Sequence, residues 1–188
     1  MSESKVSVTR KLDIVNHEDH INLLRRGVVE QGGVWADFGA GQGAFTLALA
    51  ELLGPTAVIY AIDKNKRSLQ EQARLMSTRF PDVTVHYYTA DFTTPLELPP
   101  LDGMVAANAL HFLRHKERTL RLWRGYLKGN GRLLIVEYNI DRGNLWVPYP
   151  FSYPSWEKLA VQNGFSHTEL IAKRPSRFLG EIYAAVSW

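Results

Sequence analysis

The chain has 188 residues, 45% of them hydrophobic and 22% charged, with a formal net charge of +3 and no cysteine. That length and balance suit one domain with a sizeable core. The missing cysteine excludes disulfides, thiolate metal sites and cysteine nucleophiles, and the mild positive charge, gathered in no tail, permits a nucleic-acid partner without demanding one.

Residues 1–15 form a polar arm without the apolar stretch of a secretory signal, and no later apolar run is long enough to span a bilayer. A cytoplasmic chain with no membrane partner is therefore expected. Asn16 is placed to cap a first helix whose apolar residues Ile21, Leu24 and Val28 recur at helical spacing up to Gly32-Gly33. His17 and His20 fall in its first turn. With no further ligand nearby in sequence they read as a solvated helix end, so no metal site is expected.

Val34 to Phe38 is a short apolar strand that runs into glycines at 39, 41 and 43 and then into an apolar helix, Ala44 to Leu53. Glycines at such a junction allow a tight turn and let the backbone approach a ligand closely, while the helix end offers free N–H groups. A nucleotide-like cofactor is the expected ligand. Two readings fit. As Gly39, Gly41 and Ala44 the turn matches the dinucleotide fingerprint, with Asp63 at a suitable distance. As Asp37-x-Gly39-x-Gly41-x-Gly43 it resembles the first motif of the class I S-adenosylmethionine-dependent methyltransferases. Asp37 tilts the choice, because a carboxylate at the strand end suits a cationic cofactor and repels a pyrophosphate.

Ala57 to Ile62 is a second strand, of the continuous apolar kind found where a parallel sheet is covered on both faces, and it ends in Asp63. A carboxylate there can accept from both ribose hydroxyls. Leu69, Ala73, Met76 and Phe80 give the next helix its core face, and Val83 to Tyr88 is a third strand leading to Asp91-Phe92. In the methyltransferases an acidic residue followed by an apolar or aromatic one stands at this point; the resemblance implies that Asp91 accepts from the adenine amino group and that Phe92 packs on the ring. A loop from Thr93 to Pro100 precedes the fourth strand, Leu101 to Ala107, with Asn108 and His111 beyond its carboxyl end. Ligands of open α/β sheets bind outside strand carboxyl ends. The stretch resembles the fourth motif of small-molecule methyltransferases, which puts Asn108 with the cofactor and His111 near the transferred methyl. His111 is the candidate base, set against a purely packing role at the start of its helix.

Leu113, Leu120, Trp123 and Leu127 line one face of the following helix and Arg114, Arg118, Arg121 and Lys128 another, and Gly129-Asn130-Gly131 is expected to end it before a fifth strand, Arg132 to Tyr138. The basic set reads as a solvated face, with phosphate tracking as the sharper alternative. Asp141 to Tyr153 is irregular and aromatic: either a loop pinned by its own rings or a substrate wall made by Trp146, Tyr149 and Tyr153. Ser155 is placed to cap a last helix, Trp156 to Asn163, and two strands, His167 to Lys173 and Glu181 to Trp188, close the chain.

The resemblance spans about Trp35 to the carboxyl terminus. It implies an α/β fold: a single Rossmann-like three-layer domain over residues 31–188, with a seven-stranded, mostly parallel sheet whose last strand is antiparallel. Residues 1–30 are expected to cover the cofactor cleft. It implies S-adenosylmethionine as cofactor and methyl transfer as the activity. The short chain and the aromatic segment favour a small-molecule acceptor over nucleic acid. The rival classes are an RNA or other nucleic-acid methyltransferase, an NAD(P)-dependent oxidoreductase (a Tyr-x-x-x-Lys pair stands at Tyr60 and Lys64) and a binding-only relative.

Overall fold

A computed structural model describes residues 17–188. The elements run α1 (His17–Leu24), β1 (Val34–Phe38), α2 (Ala44–Leu53), β2 (Val58–Asp63), α3 (Lys66–Arg79), β3 (Thr84–Thr89) and β4 (Leu101–Ala107). After a 3-10 turn at Leu110–Phe112 come α4 (Glu117–Tyr126), β5 (Leu127–Tyr138), α5 (Tyr153–Gln162), β6 (Thr168–Ser176) and β7 (Gly180–Ser187). Seven strands form one sheet in the order β3-β2-β1-β4-β5-β7-β6. The first five run parallel, and β7 is antiparallel to both neighbours. The expected architecture is present.

Alternation along the strands divides the core between two helix layers. Leu134 and Val136 of β5 face a cluster with residues of α1 and α2, whereas Leu133 and Ile135 face one with Trp123 of α4 and Trp156 of α5. The strand order reverses between β1 and β4, so a crevice opens at their carboxyl ends. These two strands lie unusually close to one side chain. A Cβ on Gly103 of β4 would meet the buried ring of Trp35 of β1. Gly103→Ala is therefore expected to destabilise the protein by about 1–3 kcal/mol. Urea unfolding checks this, and an unchanged midpoint would show that the ring yields without strain.

Several expected boundaries move. Asn16 lies outside the described residues, and α1 stops at Leu24, so Val28 packs from a following segment rather than from the helix. The helix after His111 begins only at Glu117, which leaves Leu113 and Arg114 outside it. It passes directly into β5 at Leu127, so Lys128 and the Gly129-Asn130-Gly131 stretch belong to the strand. The reason is an irregular register: Leu101 pairs with Leu127 but Gly103 with Arg132, and the strand absorbs the extra residues. Of the expected basic face, Arg118 and Arg121 stay on the helix, whereas Arg114 and Lys128 fall outside it. Arg121 donates to Asn163 at 3.0 Å. Ser152, not Ser155, caps α5: its hydroxyl accepts from the Ser155 N–H, and Pro154 sits in the first turn, where no N–H is needed. β6 continues through Pro175 to Ser176, which an edge strand tolerates.

Candidate active site

Strand β1 ends in Phe38, and the chain turns at Gly39 (φ 81°) and Gly43 (φ 94°), conformations that side-chain-bearing residues rarely adopt. Both positions are also crowded. A Cβ on Gly39 would come within 2.9 Å of the Ala109 methyl, and one on Gly43 within 2.5 Å of Gln72 Cγ. Gly41 between them faces open space, with only the Gly39 carbonyl nearby at 3.9 Å. The turn is thus a backbone cradle, open on one side and closed on the other.

Three carboxylates surround it. Asp37 is fully buried at the end of β1, where its Oδ2 accepts the Thr46 hydroxyl at 2.6 Å and the carboxylate also takes the Thr46 N–H of the first turn of α2. Burial pushes its carboxyl up to about 7; the Thr46 hydrogen bonds oppose the shift and the nearby Asp63 charge adds to it. Asp63, at the end of β2, accepts the Gly41 N–H through Oδ2 at 2.9 Å and the Asn65 N–H through Oδ1 at 2.7 Å. Asp91, just past β3, accepts from the Thr93 N–H and hydroxyl and pairs with Lys64 at 2.8 Å. Its carboxyl is held low although partial burial opposes this, because Lys64 and Thr93 both donate to the ionised form. Phe92 packs edge-on to Trp123, with a ring carbon 3.6 Å from where a Gly39 Cβ would stand.

The end of β4 completes the site. Asn108 is the non-glycine residue with positive φ (51°) among the described residues, a strained conformation of the kind that gathers at ligand sites. Its N–H donates to the Val136 carbonyl at 2.8 Å, yet its Oδ1 is buried without a partner. The next three N–H groups, of Ala109, Leu110 and His111, converge on Glu137 Oε1 at 3.2, 2.9 and 3.3 Å. The other oxygen, Oε2, lies 2.7 Å from His111 Nδ1. Both residues are buried. A carboxylate that collects four donors fixes the ring: Nδ1 carries the proton, and Nε2 is left with its lone pair. The ring neighbours those of Phe112 and Tyr138, with centroids at 4.3 and 6.2 Å.

Of the sequence-derived candidates, Asp37, Gly39, Gly41, Asp63, Asp91, Phe92, Asn108 and His111 all lie at the carboxyl ends of β1 to β4. The aromatic segment divides. Tyr149 is tied to His111, its N–H donating to the His111 carbonyl at 3.0 Å. Trp146 projects outward, 71% exposed, from a tight turn in which Asn144 Oδ1 accepts two N–H groups. Tyr153 opens α5 and packs edge-on to Tyr183, in the core layer rather than beside His111. Glu137 went unread in the sequence. The signal was a lone acidic residue in the apolar run LLIVEY, which must find donors if the strand is buried.

A family model described as a methyltransferase domain matches residues 36–133, and so settles the glycine turn against the dinucleotide reading. The ubiquinone/menaquinone biosynthesis C-methyltransferase UbiE of Pseudomonas fluorescens is 31% identical over 182 residues, covering 87% of this chain and 70% of that protein. A reducing polyketide synthase from a Penicillium species is 27% identical over 164 residues; the match covers 75% of this chain but only 7% of the synthase. The solved structure of the Bacillus YcgJ protein shares the fold at a TM-score of 0.73 with 13% identity, covering 91% of this chain and 98% of that one. Among the described residues no helix is long and apolar enough to cross a membrane. With its motifs, sheet order and these relatives in agreement, the chain belongs to the methyltransferase-domain family and is a class I methyltransferase whose methyl donor is S-adenosylmethionine.

Proposed function

We propose that this enzyme methylates a carbon atom of a small-molecule acceptor, one made acidic by a neighbouring carbonyl group. The observation that carries the reading is the buried His111–Glu137 pair, held beside the strained Asn108 at the mouth of the crevice. A hydrogen-bonded carboxylate behind Nδ1 orients the ring and stabilises the imidazolium, the arrangement a general base requires. A carbon acid needs such a base; an amine that is already neutral does not. The C-methyltransferase UbiE, at 31% identity, supports the same acceptor class. The aromatic segment of residues 141–153 favours a small molecule over nucleic acid.

The residues of the crevice fit the cofactor. The orphaned Oδ1 of Asn108 calls for a donor, Gly41 leaves open space that a side chain would occupy, and Asp37 suits a cationic group. In this reading Asp63 keeps lone pairs for the ribose hydroxyls, Asp91 accepts from the adenine amino group, and Phe92 lies against the ring. Bound S-adenosylmethionine supplies an electrophilic methyl group and leaves as S-adenosylhomocysteine. His111 Nε2 takes the proton from the acceptor carbon, whose electron pair then forms the new carbon–carbon bond. Glu137 holds Nδ1–H throughout, and the Tyr149 segment shields the site from water.

Two measurements follow. Asp63→Ala is expected to weaken S-adenosylhomocysteine binding by about ten- to a hundredfold in calorimetry, through unpaired ribose hydroxyls. Unchanged affinity would remove Asp63 from the site. For the acceptor, a panel of β-dicarbonyl compounds, phenols and amines is incubated with methyl-labelled cofactor. Carbon-methylated products are expected, together with solvent-deuterium exchange at the acceptor carbon of the β-dicarbonyls that the enzyme speeds above its uncatalysed rate. Products methylated only on oxygen or nitrogen, with no such exchange, would overturn the carbon assignment.

A further inference from the structure

We propose that the chain forms a two-fold dimer by pairing its β3 strand, antiparallel, with β3 of a second copy. The two outer strands of the sheet are built differently. At one edge, β6 is guarded against pairing: it carries Lys173, Arg174 and Pro175 and a register break between Leu170 and Ala172. That edge is also bridged to α1 and the turn after it, through Arg174 to Asp19 at 2.8 Å and Arg26 to Glu169 at 2.6 Å. At the other edge, β3 reads TVHYYT and has no charge, no proline and no bulge in its pairing with β2. It is also the strand, among those described, without a single buried residue.

The sheet face beside it is open as well. The chain passes from β3 to β4 through residues 90–100 without a helix, so no helical layer is inserted there. The rings of Tyr60, His86 and Tyr88 stand together on that face, with centroids 4.9 Å (Tyr60–His86) and 5.7 Å (Tyr60–Tyr88) apart. Outward backbone N–H and C=O groups on a regular, uncharged edge are a template for another strand. An uncharged edge offers nothing to nucleic acid or to a charged peptide. An identical strand fits, because a two-fold axis normal to the sheet pairs β3 with itself and keeps each face continuous. The Tyr60–His86–Tyr88 face of one copy then runs into the same face of the other. The pairing closes the assembly at two chains and leaves both β6 edges outermost.

A single strand pair with its flanking rings lies at the low end of stable interface sizes, so association should depend on concentration. Light scattering after gel filtration, at roughly 100 µM chain, is expected to give twice the chain mass of 21.3 kDa. The variant Thr84→Lys/His86→Lys places on β3 the kind of guard that β6 already has, on two exposed side chains remote from the crevice. It is expected to run as a single chain with an unchanged circular-dichroism spectrum. Hydrogen exchange should show β3 amides protected in the wild type and released in the variant. A wild type that stays monomeric at this concentration, a lysine variant that remains dimeric, or assembly that grows past two chains would each overturn the proposal.

Discussion

Replacing His111 with Asn is expected to lower the rate of methyl transfer by about 10²–10⁴-fold while leaving S-adenosylhomocysteine affinity intact. The asparagine keeps a donor near Glu137 Oε2, 2.7 Å from the native Nδ1, but has no lone pair where Nε2 stood. Single-turnover rates of the two proteins give the comparison. A companion change, Glu137→Gln, retains the side-chain shape and one acceptor oxygen for the three N–H groups of residues 109–111. It removes the charge that balances the imidazolium, so it should lose rate more than stability. An Asn variant that keeps its rate would leave His111 a packing residue.

The second large effect concerns Asp37. Its carboxyl is pushed up to about 7, first by burial and then by the Asp63 charge, against the pull of Thr46. A raised carboxyl means that the folded protein favours the protonated form. This contribution to stability is full at acid pH and is lost as pH rises from the ordinary carboxylate range through about 7. A cationic ligand reverses the preference, because it favours the ionised form. Cofactor binding should then release a proton below pH 7, and affinity should climb by up to about tenfold per pH unit before levelling above 7. Calorimetry with S-adenosylhomocysteine, whose amino group is cationic, measures both, using buffers of different ionisation heat between about pH 5 and pH 8. Asp37→Asn should bind more weakly above pH 7 and show no slope below it, and the unliganded variant should be the more stable protein near neutrality. A slope of the same size in Asp37→Asn would place the titrating group elsewhere.

How much of this was legible beforehand depended on the range of the interaction. Asp37, the glycines, Asp63, Asp91 and Asn108 declare themselves because each lies at or just past the end of a strand, and strand ends are marked by local turn chemistry. Glu137 has its partners 26 to 28 residues away, on another strand's exit, and nothing local marks it but its polarity. The start of α5 was misplaced at Ser155, because Pro154, which belongs inside the first turn, was not weighed; it marks Ser152 as the cap. The junction of α4 with β5 was misplaced because two glycines looked like a helix stop, whereas the register with β4 draws them into the strand. Aromatic content marked the 141–153 segment correctly as unusual. It could not tell that the Tyr149 main chain bonds His111 while the Tyr153 ring packs on Tyr183, since ring count carries no orientation.

The same segment is fastened at points that scarcely involve its own outward side chains. Asp141 accepts the N–H and hydroxyl of Ser152 at its far end. The Lys116 ammonium donates to the Leu113 and Tyr149 carbonyls, and Tyr149 bonds His111 through main-chain atoms alone. Leu145 and Trp146 stand clear of this fastening, 89% and 71% exposed. Identity at these two positions is therefore nearly independent of folding. Descendants of this protein can exchange them without loosening the His111 main-chain tie, so this stretch of surface can vary while the scaffold beneath it is inherited unchanged.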